Sequence, residues 1–312
     1  IEPVIKKEGS IDFFDVCDGH IIYVGLRKDR PQELYSWAGK EERITDFNDI
    51  DFKISTPEYF EVESDGRTID AWVMKPIDFQ EGKKYPTILE IHGCPKCVYG
   101  SIHFNEMQLL ASSGYAVVFS NPMGSSGNGD DFADIMGVYG GPDYIDLMNV
   151  MDTAIEKFDF IDKNKLGTLG GSYGGFMVNW VIGQTDRFKA AVSFRSISNW
   201  ISKFGTTDIG YYFVEDQIKA NPWDDFEQLW DRSPMKYADK ATTPTLFITS
   251  REDYRCWEAE AIQMFTSLKY HGVDAKLVLF EDENHNLSRS GKPKERMKRL
   301  EFTLDWFDRY LK

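Results

Sequence analysis

Apolar and polar residues alternate in short runs at the start of the chain. Ile11–Val16, His20–Leu26 and Glu33–Trp37 are β-prone, with Asp18-Gly19 and Arg30-Pro31 between them, and this spacing predicts a small antiparallel meander. So few strands bury little on their own, so the meander must lean on the rest of the chain. Composition shifts through Asn48–Pro57, which divides the chain into a β segment over 1–52 and a larger unit over 53–312. In the larger unit Glu58–Ser64 and Thr68–Lys75 flank Asp65-Gly66 as a hairpin. Thereafter period-2 and apolar runs alternate with helical periods: strand Thr87–Ile91, helix Asn105–Ser112, strand Tyr115–Ser120, helix Tyr144–Phe158, strand Leu166–Leu169, helix Phe176–Ile182 and strand Lys189–Ser193. A stretch without a readable period follows, expected as a long irregular insertion. Strand Thr245–Thr249, helix Glu258–Tyr270, strand Lys276–Phe280 and the amphipathic helix Glu295–Leu311 complete the pattern. Alternating β and α runs predict a mostly parallel sheet with helices on both faces. An antiparallel hairpin ahead of such a sheet is how α/β-hydrolase sheets begin, so that fold is expected.

Between the strand at Leu166 and the helix at Phe176 lies Gly170-Gly171-Ser172-Tyr173-Gly174, a G-x-S-x-G pattern with a further glycine at 175. A strand turning sharply into a helix strains the residue at its apex, and flanking glycines let the two backbones pass closely. The apex hydroxyl then stands clear of the sheet, with the helix N-terminus facing any oxyanion that forms. A serine hydroxyl needs a base to take its proton and an acid to orient that base. Only His271 and His285 follow Ser172. His271 precedes Gly272 at a helix end, a common capping position. His285 lies in Glu283-Asn284-His285-Asn286, just beyond a strand, where catalytic groups gather in such sheets. His285 is therefore the expected base. Glu252 and Asp253 both follow the strand Thr245–Thr249, and spacing alone does not choose between them. His20 and His103 read as surface or loop residues. In Ile91-His92-Gly93-Cys94-Pro95 a loop amide can complete an oxyanion hole.

Bulk composition narrows the classes of partner. At 312 residues, with 42% hydrophobic and 14% aromatic residues, the chain can bury one large core with a small appendage. The net charge of −15 argues against nucleic acid or an anionic membrane as partner, and no apolar run approaches the roughly 20 residues of a membrane span. The basic run Lys292–Arg299 reads as a solvated helix start. With four cysteines and no leader-like start, the cytoplasm is the expected compartment, and a first residue of Ile rather than Met suggests a fragment or a processed product. Cys94-Pro95-Lys96-Cys97 spells C-x-x-C, but a closed zinc site wants four ligands and a redox pair wants its first Cys at a helix start, so two free thiols, no metal and no cofactor are expected.

Over about residues 53–312 the chain resembles the prolyl oligopeptidase family of serine peptidases, most of all its acylaminoacyl-peptidase branch. The likeness rests on Ile91-His92-Gly93-Cys94-Pro95 with Tyr99-Gly100, Asn121-Pro122-Met123-Gly124-Ser125, Gly170–Gly175, Glu252-Asp253-Tyr254-Arg255, and His285 with Ser288-Arg289, in that order. It implies Ser172 as nucleophile, Asp253 as orienting acid and His285 as base. Tyr173 N–H would be one oxyanion donor, with Gly93 or Cys94 as the other. Arg255 matches a residue that holds a substrate backbone carbonyl in relatives, and Tyr99 is carried over as a substrate-side residue. Residues 11–47 resemble the last blade of the family's β-propeller; a blade of this type takes roughly 40–45 residues, so a complete propeller cannot fit. That puts size-gating of substrates in question. The family usually has His-Gly-Gly-Pro where this chain has Cys94, an arginine where it has Met123, and a proline where it has Trp257. Glycine at the place of Cys94 serves either a positive φ or a close approach. Either the loop adapts, with Gly93 or Cys94 donating at negative φ, which is the expectation, or the oxyanion hole is imperfect and catalysis slow.

The resemblance implies cleavage of short or N-acylated peptides through an acyl-enzyme. A carboxylesterase on the same triad is the alternative, favoured if loss of the propeller opens the cleft. A binding module without catalysis has no reason to keep Ser, Asp and His together. Open strand edges in the first sheet invite self-association.

Overall fold

The computed structural model describes residues 2–7, 9–27, 30–49 and 51–312. Four strands, β1 (Ser10–Cys17), β2 (His20–Arg27), β3 (Arg30–Trp37) and β4 (Glu41–Arg43), form an antiparallel sheet in sequential order. Asp18 and Gly19 both take positive φ, as a two-residue hairpin turn on right-twisted strands requires. Arg30-Pro31, expected as a break, instead begins β3. Proline is tolerated there because the β2–β3 ladder is irregular at that end, between Gly25 and Arg27. β1 is an edge strand whose Phe13 and Phe14 are 75% and 71% exposed. Across the expected boundary Asn48–Pro57, in which Ile50 lies outside the described residues, the chain is clamped to the larger unit. Ser55 N–H donates to Gln108 Oε1 (2.9 Å), Gln108 Nε2 donates to Ser55 O (2.8 Å) and Ser55 Oγ donates to Lys75 O (2.6 Å).

The larger unit is an eight-stranded sheet built from β5 (Glu58–Ser64), β6 (Arg67–Met74), β7 (Tyr85–Ile91), β8 (Ala116–Ser120), β9 (Ile161–Gly171), β10 (Ala190–Phe194), β11 (Thr245–Ser250) and β12 (Ala275–Phe280). Its order is β12-β11-β10-β9-β7-β8-β6-β5. The β5–β6 and β6–β8 pairs are antiparallel and the others parallel. Of the helices, α1 (Asn105–Ser112) lies on one face; α2 (Asp130–Ala133) is a single turn, and α3 (Pro142–Lys157) and α4 (Tyr173–Gln184) cover the other. The central strands are mostly apolar where both faces are covered. β9 extends well before the expected Leu166. Its polar residues Asp162–Lys165 hide a strand whose pairing with β7 is offset there.

The stretch expected to be irregular is largely helical: α5 (Trp200–Thr206), α6 (Gly210–Ile218), α7 (Phe226–Asp231) and a 3₁₀ turn over Pro234–Lys240. α5 and α7 are too short to show a period, and α6 starts at Gly210 with no side-chain cap to mark it. Asn199 and Asp225 cap α5 and α7 through side-chain oxygens, and Trp200, Val214, Ile218 and Leu229 are fully buried against α4 and its neighbours. α8 (Glu258–Tyr270), the turn α9 (Leu287–Ser290) and α10 (Pro293–Leu311) complete the chain, α10 packing beside α1 on its face of the sheet.

Candidate active site

The six mutually parallel strands β7, β8, β9, β10, β11 and β12 end on the same side of the sheet, and the loops beyond them carry the candidate groups and their braces. Ser172 forms the sharp turn from β9 to α4 with φ 62° and ψ −119°. Its neighbours explain the glycines. A Cβ on Gly174 would stand 2.2 Å from Ile91 O, and one on Gly170 would stand 2.6 Å from the Gly174 carbonyl. The crossing of elbow and β7 loop therefore admits no side chain at either place. Ser172 N–H donates to Phe194 O (3.0 Å) and Ser172 O accepts from Phe176 N–H (2.9 Å), which pins the apex between β10 and the new helix.

His285 Nε2 lies 3.2 Å from Ser172 Oγ, and His285 Nδ1 lies 2.8 Å from Asp253 Oδ2. Asp253 is wholly buried, and its Oδ1 also accepts from Arg255 N–H (3.1 Å) and Cys256 N–H (2.8 Å). Glu252 is exposed on the wall of the Ser172 cavity and makes no hydrogen bond to the imidazole, so the tertiary structure brings Asp253, not Glu252, to His285 Nδ1. Burial holds His285 below its ordinary value of 6.5; hydrogen bonding to Asp253 opposes that shift, and the charges of Arg195 and Arg289 add to it. His271 caps the end of α8, as its position before Gly272 suggests.

Tyr173 begins α4, where backbone N–H groups have no partner within the helix. Its hydroxyl donates to the buried Asp143 Oδ2 (2.7 Å), and burial raises Asp143 to about 6. Gly93 packs against the elbow; a Cβ on it would stand 2.8 Å from Gly171 O. Cys94 takes φ +46°, which corrects the expectation of a donor at negative φ. The left-handed conformation that glycine would supply is kept, and with a Cβ present cysteine bears its strain. Cys94 faces the cavity of Ser172. A hydrogen bond from Cys97 pulls the Cys94 thiol down to about 6, helped by Arg289, Arg195 and Arg255, while Cys97 is pushed up in exchange. Both thiols are free and exposed.

His92 is buried between Gly93 O (3.0 Å) and Ser125 Oγ (2.9 Å), and burial lowers it to about 4, so it is a neutral brace between two loops. His103, expected at the surface, is also buried, with Nε2 2.9 Å from Asn105 Oδ1. Tyr99 is 8% exposed; its backbone is held by Asn121 and its hydroxyl donates to Glu90 Oε1 (3.2 Å). It lines the cavity beyond His285, not the one that holds Ser172.

The Ser172 cavity measures about 530 Å³, with Ile197, Trp200 and Phe213 as its apolar wall and Arg255 at its rim. Arg255 forms a two-pronged ion pair with Asp208 (Nε–Oδ1 and Nη2–Oδ2 both 3.0 Å), while Lys203 Nζ donates to Arg255 O (2.7 Å). Neither Asp208 nor Lys203 stands out in sequence, because both lie in the stretch without a period. A third residue absent from the sequence reading is Arg195, next after β10. Its Nη1 donates to His285 O (3.0 Å) and Ser288 Oγ (2.8 Å), bracing the loop of the base. Its place at a strand's carboxyl end is the one signal that could have marked it.

Comparison with known proteins accords with this geometry. Residues 101–312 match the prolyl oligopeptidase family. The chain is 48% identical over 320 residues to the uncharacterized peptidase YuxL of Bacillus subtilis, covering all of this chain and 49% of that protein. It is 33% identical over 254 residues to dipeptidyl-peptidase 5 of Schizosaccharomyces pombe, covering 79% of this chain and 36% of the relative. Acylaminoacyl peptidase of Pyrococcus horikoshii superposes with a TM-score of 0.95 at 36% identity, over 99% of this chain and 50% of that one. The chain thus spans about half the length, or less, of the proteins it matches. On a matched family over two thirds of its length and a relative sharing nearly half its residues, the chain belongs to the prolyl oligopeptidase family of serine peptidases.

Proposed function

We propose that the protein cleaves short or N-acylated peptides through an acyl-enzyme on Ser172, with His285 as base and Asp253 as its orienting acid. The observation that carries this reading is the continuous run Ser172 Oγ–His285 Nε2, His285 Nδ1–Asp253 at 3.2 and 2.8 Å. His285 takes the hydroxyl proton as Oγ attacks the scissile carbonyl. Asp253 holds Nδ1–H so that Nε2 is free to accept, and stabilises the imidazolium that forms. The Tyr173 N–H and the backbone of Gly93–Cys94 would receive the oxyanion. His285 then returns the proton to the leaving amine, and water repeats the cycle on the acyl-enzyme. The apolar wall of Ile197, Trp200 and Phe213 suits the side chain of the acyl residue, with Arg255 set to hold a backbone carbonyl. Membership of a peptidase family disfavours the esterase alternative.

In the same reading residues 1–52 are the terminal blade of a propeller, supported by the sequential four-stranded sheet and the exposed apolar face of β1. The free thiols Cys17, Cys94 and Cys97, all exposed, suit a reducing compartment such as the cytoplasm. Self-association would use the open edge at β1. Labelling by a serine-directed fluorophosphonate, with turnover of an acyl-amino-acid anilide against a short-chain aryl ester, tests the reading. Ser172→Ala should lose labelling and both activities. Undiminished turnover in that variant would end it.

A further inference from the structure

A second cavity, about 930 Å³, opens on the other side of His285, between strands β1–β3 and the ends of β7, β9, β10 and β11. Its wall holds Arg195, Arg289, Arg296 and Arg299 in a molecule of net charge −15. Only Arg299 has a carboxylate partner there among the described residues, Glu106, at 2.7 Å. Arg195 donates to His285 O and Ser288 Oγ, Arg289 to Asn286 Oδ1 (2.8 Å), and Arg296 to Arg289 O (3.2 Å), all neutral acceptors. The Nε atoms of Arg195 and Arg296 are buried without any partner. The carboxyl group of Glu90, on the same wall, does not offset these charges. Burial, then the neighbouring Glu106, raises it well above the usual range, so it stays neutral, and its Oε2 is likewise buried and unpartnered. The remaining acidic residue of the wall, Asp12, already accepts from Ser10 Oγ (3.2 Å) and Gln32 Nε2 (3.3 Å).

Like charges gathered on one wall with buried N–H groups that no protein atom accepts from favour an anion there. The chemistry of the triad says which part of a substrate lies there. His285 Nε2 must reach both Oγ and the leaving nitrogen, so the leaving segment runs along the imidazole face away from the acyl cavity. That face opens on Ser288, Arg289 and Arg195. We infer that Arg195, Arg289 and Arg296 form a carboxylate subsite for the leaving segment, which takes the free C-terminus of a short peptide. The inference rests on the peptidase reading above and adds a substrate class, peptides that end a few residues after the scissile bond. An acidic side chain in the leaving segment presents the same group, and the test separates the two sources.

The experiment compares kcat/KM of the purified protein for an N-acetylated tripeptide ending in a carboxylate, its C-terminal amide, and an amidated analogue with Glu in the leaving segment. The acid should exceed the amide by about tenfold or more, the range of a charged hydrogen bond, and the Glu analogue should behave as the amide. In Arg289→Gln/Arg296→Gln the acid-to-amide ratio should collapse to within about threefold, and added salt should reduce it in the parent. The free leaving dipeptide should inhibit aryl-ester hydrolysis more strongly than its amide, a readout that needs no peptide cleavage. Equal kcat/KM for acid and amide, or a ratio that survives the double variant, overturns the subsite. A Glu analogue as good as the acid overturns its assignment to the terminus. Failure to cleave any of the peptides while the aryl ester turns over overturns the peptidase reading itself, whatever the dipeptide does.

Discussion

Replacing Asp253 by asparagine separates its work on His285 from its work on the backbone. The carboxylate is wholly buried and accepts from two backbone N–H groups as well as from the imidazole. In Asp253→Asn the amide oxygen can keep the bonds from Arg255 N–H and Cys256 N–H, because turning the NH₂ toward them would set donor against donor. The NH₂ must then face His285 Nδ1, which becomes an acceptor and leaves the proton on Nε2. An imidazole with Nε2 protonated cannot take the proton of Ser172 Oγ 3.2 Å away. The expected loss is on the order of 10⁴ in kcat, or about 5 kcal/mol of barrier, with little change in KM. Thermal melting should stay near that of the parent. Asp253→Ala strips both backbone donors of their acceptor, each worth about 1–3 kcal/mol when buried, so it should melt clearly lower. Glu252→Gln alters an exposed side chain and should change kcat by no more than about twofold. An anilide assay beside a melting curve for the three variants decides the matter. The reasoning fails if Asp253→Asn keeps more than about a tenth of parental kcat, or if Glu252→Gln loses as much as Asp253→Asn does.

The acid limb of the kcat/KM profile should lie below pH 6.5, because burial and the nearby arginines lower His285 and only the neutral base is active. Activity is then present above that limb and lost as pH falls through it; a limb above 6.5 contradicts the electrostatics. Cys94→Gly should leave kcat within about threefold and change stability by at most about 1 kcal/mol, since relief of the positive φ is offset by the entropy of glycine. A many-fold faster variant would show that the side chain, not the backbone, limits the oxyanion site. Arg255→Ala should weaken peptide hydrolysis by roughly ten- to a hundred-fold and spare small aryl esters that offer no second carbonyl. Equal losses on both substrates would make its pair with Asp208 a structural clamp.

Much of this arrangement was legible along the chain because local rules govern it. Asp18-Gly19 and Asp65-Gly66 took the positive φ values of hairpin turns, helices Asn105–Ser112 and Glu258–Tyr270 ended where their periods ended, and Gly170-Gly171-Ser172-Tyr173-Gly174 turned a strand into a helix. Each depends on residues that are neighbours in sequence. The helices after β10 did not reveal themselves, since α5 and α7 are at most two turns long, α6 has no side-chain cap, and all three bury Trp200, Val214 and Leu229 against distant elements.

The chemistry divides along the same line. Sequence alone determined which serine sits at the elbow and which histidine follows the last strand. Between Glu252 and Asp253 it offered only adjacency, and consecutive side chains in a loop point in unrelated directions. The turn after β11 decided the matter by spending the Arg255 and Cys256 N–H groups on Asp253 and turning Glu252 to solvent. Arg195 beneath His285 and Asp208 beside Arg255 carried no motif at all. They meet their partners from 90 and 47 residues away, and only a folded sheet, with its parallel strands ending on one side, brings such charges within hydrogen-bond reach.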